Sequence, residues 1–162
     1  MVISAAQRPH GDTTLLSTFL AGQLNIDLVE LRRHTIDVFD YRDNKSDDFL
    51  DLIAHLVLRY DTLIFTSPLY WYSTSTILKI FIDRLSNLLL FNKELGRLLR
   101  GKHFVLMLCG HDREISKSAV RPLEKTCQYL GMTFRGYCYV SSRKFVLKTK
   151  NRKKINAFFR DR

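Results

Sequence analysis

The stretch DTLIFTSPLYWY at residues 61–72, followed by KIFIDRL at residues 79–85, decides the fold. Residues 63–66 form a short apolar run before Pro68, which is typical of a strand buried on both faces of a parallel sheet. From about residue 74 onward, Ile77, Leu78, Phe81 and Leu85 recur at helical spacing. A strand, a loop rich in aromatic and hydroxyl side chains, and a helix therefore follow one another, as in a crossover unit.

The same alternation continues on both sides of this stretch. Strands are predicted at residues 2–5, 27–31, 63–66, 104–108 and 133–140, and helices at 13–23, 48–59, from 74, 116–130 and 151–159. The pattern predicts an α/β fold in one domain, a doubly wound five-stranded parallel sheet with strand order 2-1-3-4-5. In such a sheet, a ligand crevice opens at the carboxyl ends of strands one and three. The loops at residues 6–13 and 67–73 should flank it, with residues 110–113 nearby.

The first loop has the chemistry of a phosphate site. It places Arg8, Gly11, Thr13 and Thr14 at the start of the first helix, where free N–H groups and the helix dipole favour an anion. A plain turn in which Asp12 or Thr13 caps the helix explains the same residues. The chain has no GxGxxG or Walker pattern, so a dinucleotide-fold or P-loop site has no direct support.

The loop after the third strand contains three consecutive aromatic residues, Tyr70, Trp71 and Tyr72. A loop this short cannot direct all three rings into a core, so at least one should be exposed at the crevice. An exposed ring suits stacking against a flat heterocycle. One or two of the rings can also cap the core with their polar ends in water.

Residues 61–71 and 78–84 together resemble the signature of the NADPH-dependent FMN reductase family, D-x-x-I-x-x-x-P-x-Y followed by L-K-x-F-x-D-R. Residues 6–13 are similar to the family's S-x-R-x-x-G-N-T phosphate loop, and the element order agrees over residues 1–140. The resemblance implies a flavodoxin-like fold, FMN as cofactor and NADPH or NADH as co-substrate. It also implies a small electron acceptor such as a flavin or quinone, and a homodimer with helix three contributing.

The resemblance also implies roles for individual residues. Arg8, Thr13 and Thr14 would hold the FMN phosphate, with Gly11 in the same loop, and the isoalloxazine ring would lie against Pro68, Leu69, Tyr70, Trp71, Tyr72 and Ser73. Gly110 and His111, after the fourth strand, complete the predicted cofactor site. Lys79, Asp83 and Arg84 are interpreted as structural or interface residues. No catalytic side chain and no metal ligand is predicted, because the flavin carries the chemistry.

Three departures from the family pattern concern cofactor affinity. Ala6 stands where the family usually has a serine, and Asp12 replaces the usual asparagine. At a separation of about 5 Å and an effective dielectric of about 20, the Asp12 carboxylate would repel a phosphate charge by roughly 3 kcal/mol. The loop at residues 109–114 is charged and has one glycine where family members are commonly glycine-rich. These departures predict weak FMN binding.

Charge is concentrated at the C-terminal end. The chain carries +10, of which residues 143–162 hold +8, from nine Lys or Arg and one Asp. This segment is either the solvated face of a terminal helix or a surface for nucleic acid, anionic lipid or an acidic protein. Two further hypotheses are therefore an adaptor that uses this segment, and a flavodoxin-like electron carrier or degenerate domain. Carriers are usually acidic, unlike this chain, whose pI is about 9.7.

Cysteine usage and hydropathy indicate a cytoplasmic protein. Cys109, Cys127 and Cys138 are odd in number and lack ligand spacing, so neither disulfides nor a zinc site is supported. No apolar run approaches the roughly 18 residues that a membrane span requires, and no secretion signal is recognisable. Membrane insertion is not expected.

Overall fold

A computed structural model describes residues 1–42, 46–113, 115, 117–143 and 146–160. The strands are Val2–Ser4 (β1), Leu28–Glu30 (β2), Thr62–Tyr70 (β3), Ser73–Thr74 (β4), His103–Gly110 (β5) and Thr133–Ser141 (β6). The helices are Asp12–Leu24 (α1), Phe49–Arg59 (α2), Thr76–Leu90 (α3), Lys93–Arg97 (α4), Arg121–Leu130 (α5) and Thr149–Arg160 (α6). Single 3-10 turns lie at Leu31–Arg33 and Lys117–Ala119.

Five parallel strands form the sheet in the order β2-β1-β3-β5-β6. This arrangement confirms the predicted α/β class and the predicted 2-1-3-4-5 order of the parallel strands. The two-residue strand β4 is additional and pairs antiparallel with the end of β3. It was not predicted, because two residues carry no pattern.

The predicted end of the third strand at residue 66, before Pro68, is wrong. β3 continues to Tyr70, with Pro68 paired opposite Cys109 of β5. On the other side, the ladder between β1 and β3 already ends at the pair of Ser4 and Thr66. Beyond that pair, β3 is an edge on its β1 side, and a proline is tolerated at an edge.

The core has two layers, one on each face of the sheet. Leu16 and Leu20 of α1 and Ile155 of α6 cover one face, and α2, α3 and α5 cover the other. Neighbouring residues of a strand point to opposite layers, so Ile64 packs with α1 whereas Phe65 packs with α3. This layering brings the carboxyl ends of β1, β3, β5 and β6 to one edge of the sheet.

The fourth major helix begins later than the sequence pattern predicts. Residue 116, the predicted start, lies outside the described residues, and Lys117–Ala119 forms a 3-10 turn. α5 starts at Arg121 with Pro122 in its first turn. Proline is favoured at this position because its missing N–H is not needed there.

Among the described residues, no helix combines the length and apolar character required to cross a membrane.

A buried ion pair attaches the connection before α2 to α3. Arg84 and Asp47 form a two-pronged contact, and their side chains are 1% and 2% exposed. Arg84 also donates to Asn87 Oδ1 at 2.7 Å and to the Asp37 carbonyl at 3.1 Å. Lys79 and Asp83, by contrast, form an exposed pair one turn apart. The buried contacts of Arg84 agree with its structural interpretation, whereas the exposed pair of Lys79 and Asp83 leaves the choice between a structural and an interface role open.

Candidate functional site

A crevice of about 720 Å³ lies at the carboxyl ends of β1, β3, β5 and β6. It is lined by three loops and one residue after β6, namely Ala6, Gln7, Arg8, Pro9, His10, Gly11, Asp12, Thr13, Pro68, Leu69, Tyr70, Cys109, Gly110, His111, Asp112 and Ser142. The crevice is at the edge where the reversal of strand order predicts a ligand. The structure therefore brings together the first, third and fourth predicted loops.

Another cavity, of about 640 Å³, lies between α3 and α5. Its lining is mostly apolar, with Ile82, Leu85, Leu89 and Leu130 beside the ring of Tyr129. It lies on the helix layer, where no helix N-terminus and no strand end contributes polar groups. The crevice at the sheet edge is therefore the better candidate for a phosphorylated ligand.

The first loop presents the N-terminus of α1 to the crevice. Gly11 precedes the helix, and its position supplies no side-chain cap. The first helical hydrogen bond runs from Leu15 N–H to the Gly11 carbonyl at 3.1 Å, so the amides of residues 12–14 come before it. Amides in this position are the donors that bind phosphate at helix N-termini. The simple alternative, a side-chain cap by Asp12 or Thr13, is absent here.

The remaining predicted phosphate residues occupy different positions. Arg8 is exposed at the crevice, and Thr13 lines it although it is only 5% exposed. Thr14 does not belong to the lining, since its hydroxyl donates to the Arg8 carbonyl at 2.7 Å. That bond closes the loop, so Thr14 shapes the position of Arg8.

Buried hydroxyl groups support this loop from below, and the sequence analysis did not identify them. Ser17 Oγ lies 2.6 Å from Thr66 Oγ1 and donates to the Thr13 carbonyl at 2.7 Å. Ser75 Oγ donates to the Ala5 carbonyl at 2.9 Å. The hydroxyl residues that close the apolar runs of β1 and β3 were the sequence signal that could have indicated this network. The network connects the first loop to β3 and to the start of α3.

The aromatic stretch is a tight hairpin. Tyr70 pairs with Ser73, and the two turn residues Trp71 and Tyr72 have φ values of 46° and 63°. A two-residue turn with both φ values positive usually contains Asn and Gly, so Trp and Tyr adopt it at a cost in strain. All three rings are substantially exposed, with Trp71 at 94%. This exposure confirms the prediction that the loop cannot bury them.

The predicted ring contacts divide between the strand and the turn. Pro68, Leu69 and Tyr70 line the crevice. Trp71 and Tyr72 form the hairpin turn and Ser73 begins β4, and all three lie outside that lining because the hairpin carries them away from the sheet edge. Only the strand-end half of the predicted ring site thus faces the crevice directly.

The loop after β5 is held against β6. Ser142, which follows β6, donates its N–H to the Gly110 carbonyl at 2.8 Å, and its Oγ lies 3.1 Å from His111 Nδ1. Tyr139 Oη donates to the Asp112 carbonyl at 2.9 Å. Sequence reasoning missed Ser142, although its position just after a parallel strand would have indicated the crevice edge.

Gly110 is packed closely against its neighbours on β3 and β6. A Cβ atom there would lie 3.2 Å from Leu69 Cβ and 3.1 Å from Tyr139 Oη, closer than ordinary contact. A larger residue at this position would therefore displace Leu69, which lines the crevice, or Tyr139. Both predicted residues of this loop, Gly110 and His111, belong to the lining.

Cys109 forms part of the crevice wall as a protonated thiol. Burial raises the pKa of Cys109 to about 11, against a hydrogen bond with Ser142 that lowers it, and the Asp12 charge raises it further. Burial also raises the pKa of Cys127, to about 12. All three cysteines are buried, and none of them is in a disulfide.

We expect the thiols of the native protein to react slowly with an aromatic disulfide reagent at pH 8. A pKa of about 11 leaves about a hundredfold less thiolate than an ordinary cysteine, since each pKa unit changes the thiolate fraction roughly tenfold. Absorbance of the released thiolate should show three reactive groups in denaturant. A fast native phase of one equivalent would contradict this prediction.

The doubly wound sheet, the crevice at its switch point and the uncapped helix N-terminus define a flavodoxin-like protein that binds a phosphorylated cofactor. The chain belongs to the NADPH-dependent FMN reductase family, whose family model matches residues 1–146. It is therefore an oxidoreductase that uses FMN as cofactor and NAD(P)H as co-substrate.

Individual relatives agree with this assignment. The Bacillus subtilis (strain 168) protein YwqN, named as an NAD(P)H-dependent FMN-containing oxidoreductase, is 27% identical over 147 residues, which are 84% of this chain and 81% of YwqN. The solved structure of the Trp repressor binding protein from Bacillus subtilis has a TM-score of 0.75 and 23% identity, covering 98% of this chain and 94% of that one. An FMN-dependent NADH-azoreductase from Bacillus anthracis str. Ames Ancestor, solved with FMN, has a TM-score of 0.64 and 11% identity over 98% and 97% of the two chains. The two structures show the shared fold.

The residues present fit FMN. The amides at the start of α1 and the Arg8 guanidinium suit its phosphate, and the crevice wall of Pro68, Leu69 and Tyr70 suits a flat ring. Asp12 opposes phosphate binding, because it adds negative charge to the phosphate end of the lining.

Proposed function

We propose that the protein transfers reducing equivalents from NAD(P)H, through FMN, to a small acceptor such as a free flavin or a quinone. FMN, when bound, takes hydride from the nicotinamide and passes the electrons on. The observation that carries the proposal is that the N-terminus of α1 and the end of β3 face one crevice. The end of the crevice at α1 suits a phosphate, and the end at β3 suits a flat ring.

The side chains of the crevice bind and orient in this proposal. Arg8 and the amides of α1 hold the phosphate, with Gly11 and Thr13 shaping the loop and Thr14 fixing it. Pro68, Leu69 and Tyr70 form the wall for the ring, and Gly110 and His111 flank its edge. Trp71 and Tyr72 on the exposed hairpin turn, and Ser73 at the start of β4, are proposed to contact the acceptor as it approaches. No side chain is assigned a proton transfer.

We further propose that the protein works as a homodimer with α3 at the interface. Leu89, Leu90 and Phe91 at the end of α3 are 38–46% exposed, and Tyr129 of α5 is 79% exposed beside them. Exposed apolar surface of this kind marks interaction sites, and the resemblance points to a second copy of the chain. Light scattering should give about twice the 19.0 kDa chain mass.

Visible spectroscopy of the purified protein tests the main proposal. Added FMN should shift its absorption bands on binding, and NADPH added without oxygen should then bleach them. A shift without bleaching would favour the electron-carrier or degenerate alternative. The absence of any shift would remove FMN chemistry from this chain.

A further inference from the structure

The helix α6 lies beyond the family match and is docked firmly on the sheet. Asn151 Nδ2 donates to the carbonyls of Ser141 at 2.8 Å and Val146 at 2.7 Å. Lys154 Nζ donates to the Tyr139 carbonyl at 2.7 Å. As the helix advances from residue 151 to 154, its partners on β6 move back from 141 to 139. α6 therefore starts at the carboxyl edge of the sheet and runs away from it.

Two contacts show that α6 and α1 run side by side in the same direction. The Arg152 guanidinium lies 5.3 Å from the centre of the Phe19 ring. One turn further along both helices, Gln23 Nε2 donates to Asn156 Oδ1 at 2.5 Å. By this alignment, Lys148 lies level with residue 15 of α1. Residue 15 is three residues after the start of α1, which is about 5 Å along the helix axis at a rise of about 1.5 Å per residue. The basic start of α6 is thus at the phosphate end of the crevice.

The loops of the crevice contribute little charge of their own. Arg8 is balanced by Asp12 in the first loop, and residues 109–114 contain two acids and one arginine, a net charge of −1. Residues 142–160, in contrast, contain no acidic residue. Just after the lining residue Ser142 come Arg143, Lys148 and Lys150, of which Arg143 and Lys150 are exposed. The positive potential on this side of the crevice therefore comes from the C-terminal segment.

We propose that Arg143, Lys148 and Lys150 form a cationic rim that recognises the phosphates of the dinucleotide co-substrate and favours NADPH over NADH. The rim is not part of the crevice lining, so it would meet the portion of a ligand that extends outside. With the nicotinamide at the flavin, that portion is the adenylate, whose 2′-phosphate in NADPH adds up to two negative charges. This inference rests on the proposed function and names a determinant of co-substrate choice.

A matched pair of double variants separates the rim from the rest of the helix. The rim variant combines Arg143→Gln with Lys150→Gln, and the control combines Arg160→Gln with Lys153→Gln, also an Arg and a Lys that are exposed. Arg160 lies ten residues from Lys150, about 15 Å along the helix. Calorimetry would measure binding of adenosine 2′,5′-bisphosphate and 5′-AMP to the FMN-loaded protein at 20 and 200 mM salt.

The rim variant should bind adenosine 2′,5′-bisphosphate about tenfold more weakly at low salt, with a smaller loss for 5′-AMP, because a clustered positive field acts most on the more charged ligand. The affinity of the control variant for adenosine 2′,5′-bisphosphate should change less than twofold. The KM for NADPH should rise in the rim variant while kcat at saturation holds, and the preference over NADH should fall.

Two outcomes would overturn the proposal. Equal losses in both double variants would indicate a general polyanion surface along α6, as in the nucleic-acid hypothesis. Unchanged nucleotide binding in both double variants would show that the basic residues of α6 form only a solvated helix face. An FMN titration of each variant separates this result from failure of the proposed function. If FMN itself does not bind, the same calorimetry on the flavin-free protein still reports on the rim.

Discussion

Replacing Arg84 with methionine will lower the free energy of unfolding by about 3–5 kcal/mol, the usual cost of removing one partner of a buried ion pair. The substitution leaves Asp47 buried at 2% exposure without its guanidinium partner. It also removes the hydrogen bonds that Arg84 donates to Asn87 Oδ1 and to the Asp37 carbonyl. The stacking of the guanidinium on the Phe49 ring, whose centre lies 4.7 Å from Arg84 Cζ, is lost as well. Denaturant unfolding followed by circular dichroism measures the change.

The exposed pair on the same helix provides the control. Asp83→Asn removes a salt bridge whose side chains are 61% and 43% exposed, and it should cost under about 0.5 kcal/mol. A loss below about 1 kcal/mol for Arg84→Met would show that the buried pair contributes little, against the expectation for buried charges.

The same ion pair predicts a dependence on pH. Burial works against ionisation of Asp47, but hydrogen bonds from Arg84 and from the amides of Asp37 and Phe49 lower its pKa below the ordinary value. A lowered pKa in the folded state means that the contribution is complete above about pH 4, the ordinary value for Asp, and is lost as pH falls through the folded pKa. The stability difference between wild type and Asp47→Asn should therefore shrink in acid.

Replacing Asp12 with asparagine will tighten FMN binding by about tenfold, equivalent to about 1.4 kcal/mol. Asp12 is the first residue of α1 and lines the crevice where the phosphate is expected. The side chain is only partly buried, so water screens the repulsion below the 3 kcal/mol estimated for closer confinement. Asparagine retains the size of the side chain and removes the charge. Quenching of FMN fluorescence measures the dissociation constant.

Riboflavin supplies the control for this substitution, because it carries the ring without the phosphate. Its affinity should be the same for wild type and Asp12→Asn. An equal gain for both ligands would mean that the variant alters the ring wall instead of the charge. Unchanged or weaker FMN binding would show that the phosphate does not lie at α1.

Sequence patterns predicted most of the fold because the periodicity of apolar residues is local. The runs at residues 63–66 and 104–108 indicated buried parallel strands, and the helical stripe at Phe81 and Leu85 indicated the crossover after β3. The strand order then placed the crevice at the loops that hold Arg8, Leu69 and Gly110. Local patterns could not predict the hairpin at Trp71 and Tyr72, since the two positive φ values accompany the pairing of β4 with β3 and not a turn sequence such as Asn-Gly.

By itself, the sequence determined the fold class, the family signature at residues 61–85 and the three loops of the candidate site, because each depends on residues close together in the chain. Only the tertiary structure decided which of those residues face the crevice. It turned Trp71 and Tyr72 outward, committed the Thr14 hydroxyl to a backbone carbonyl and placed Ser142, which follows the last strand β6, in the crevice lining. It also set the start of α6 beside α1, separated by more than 120 residues in sequence. These relations depend on the packing of distant elements, which no window of sequence contains.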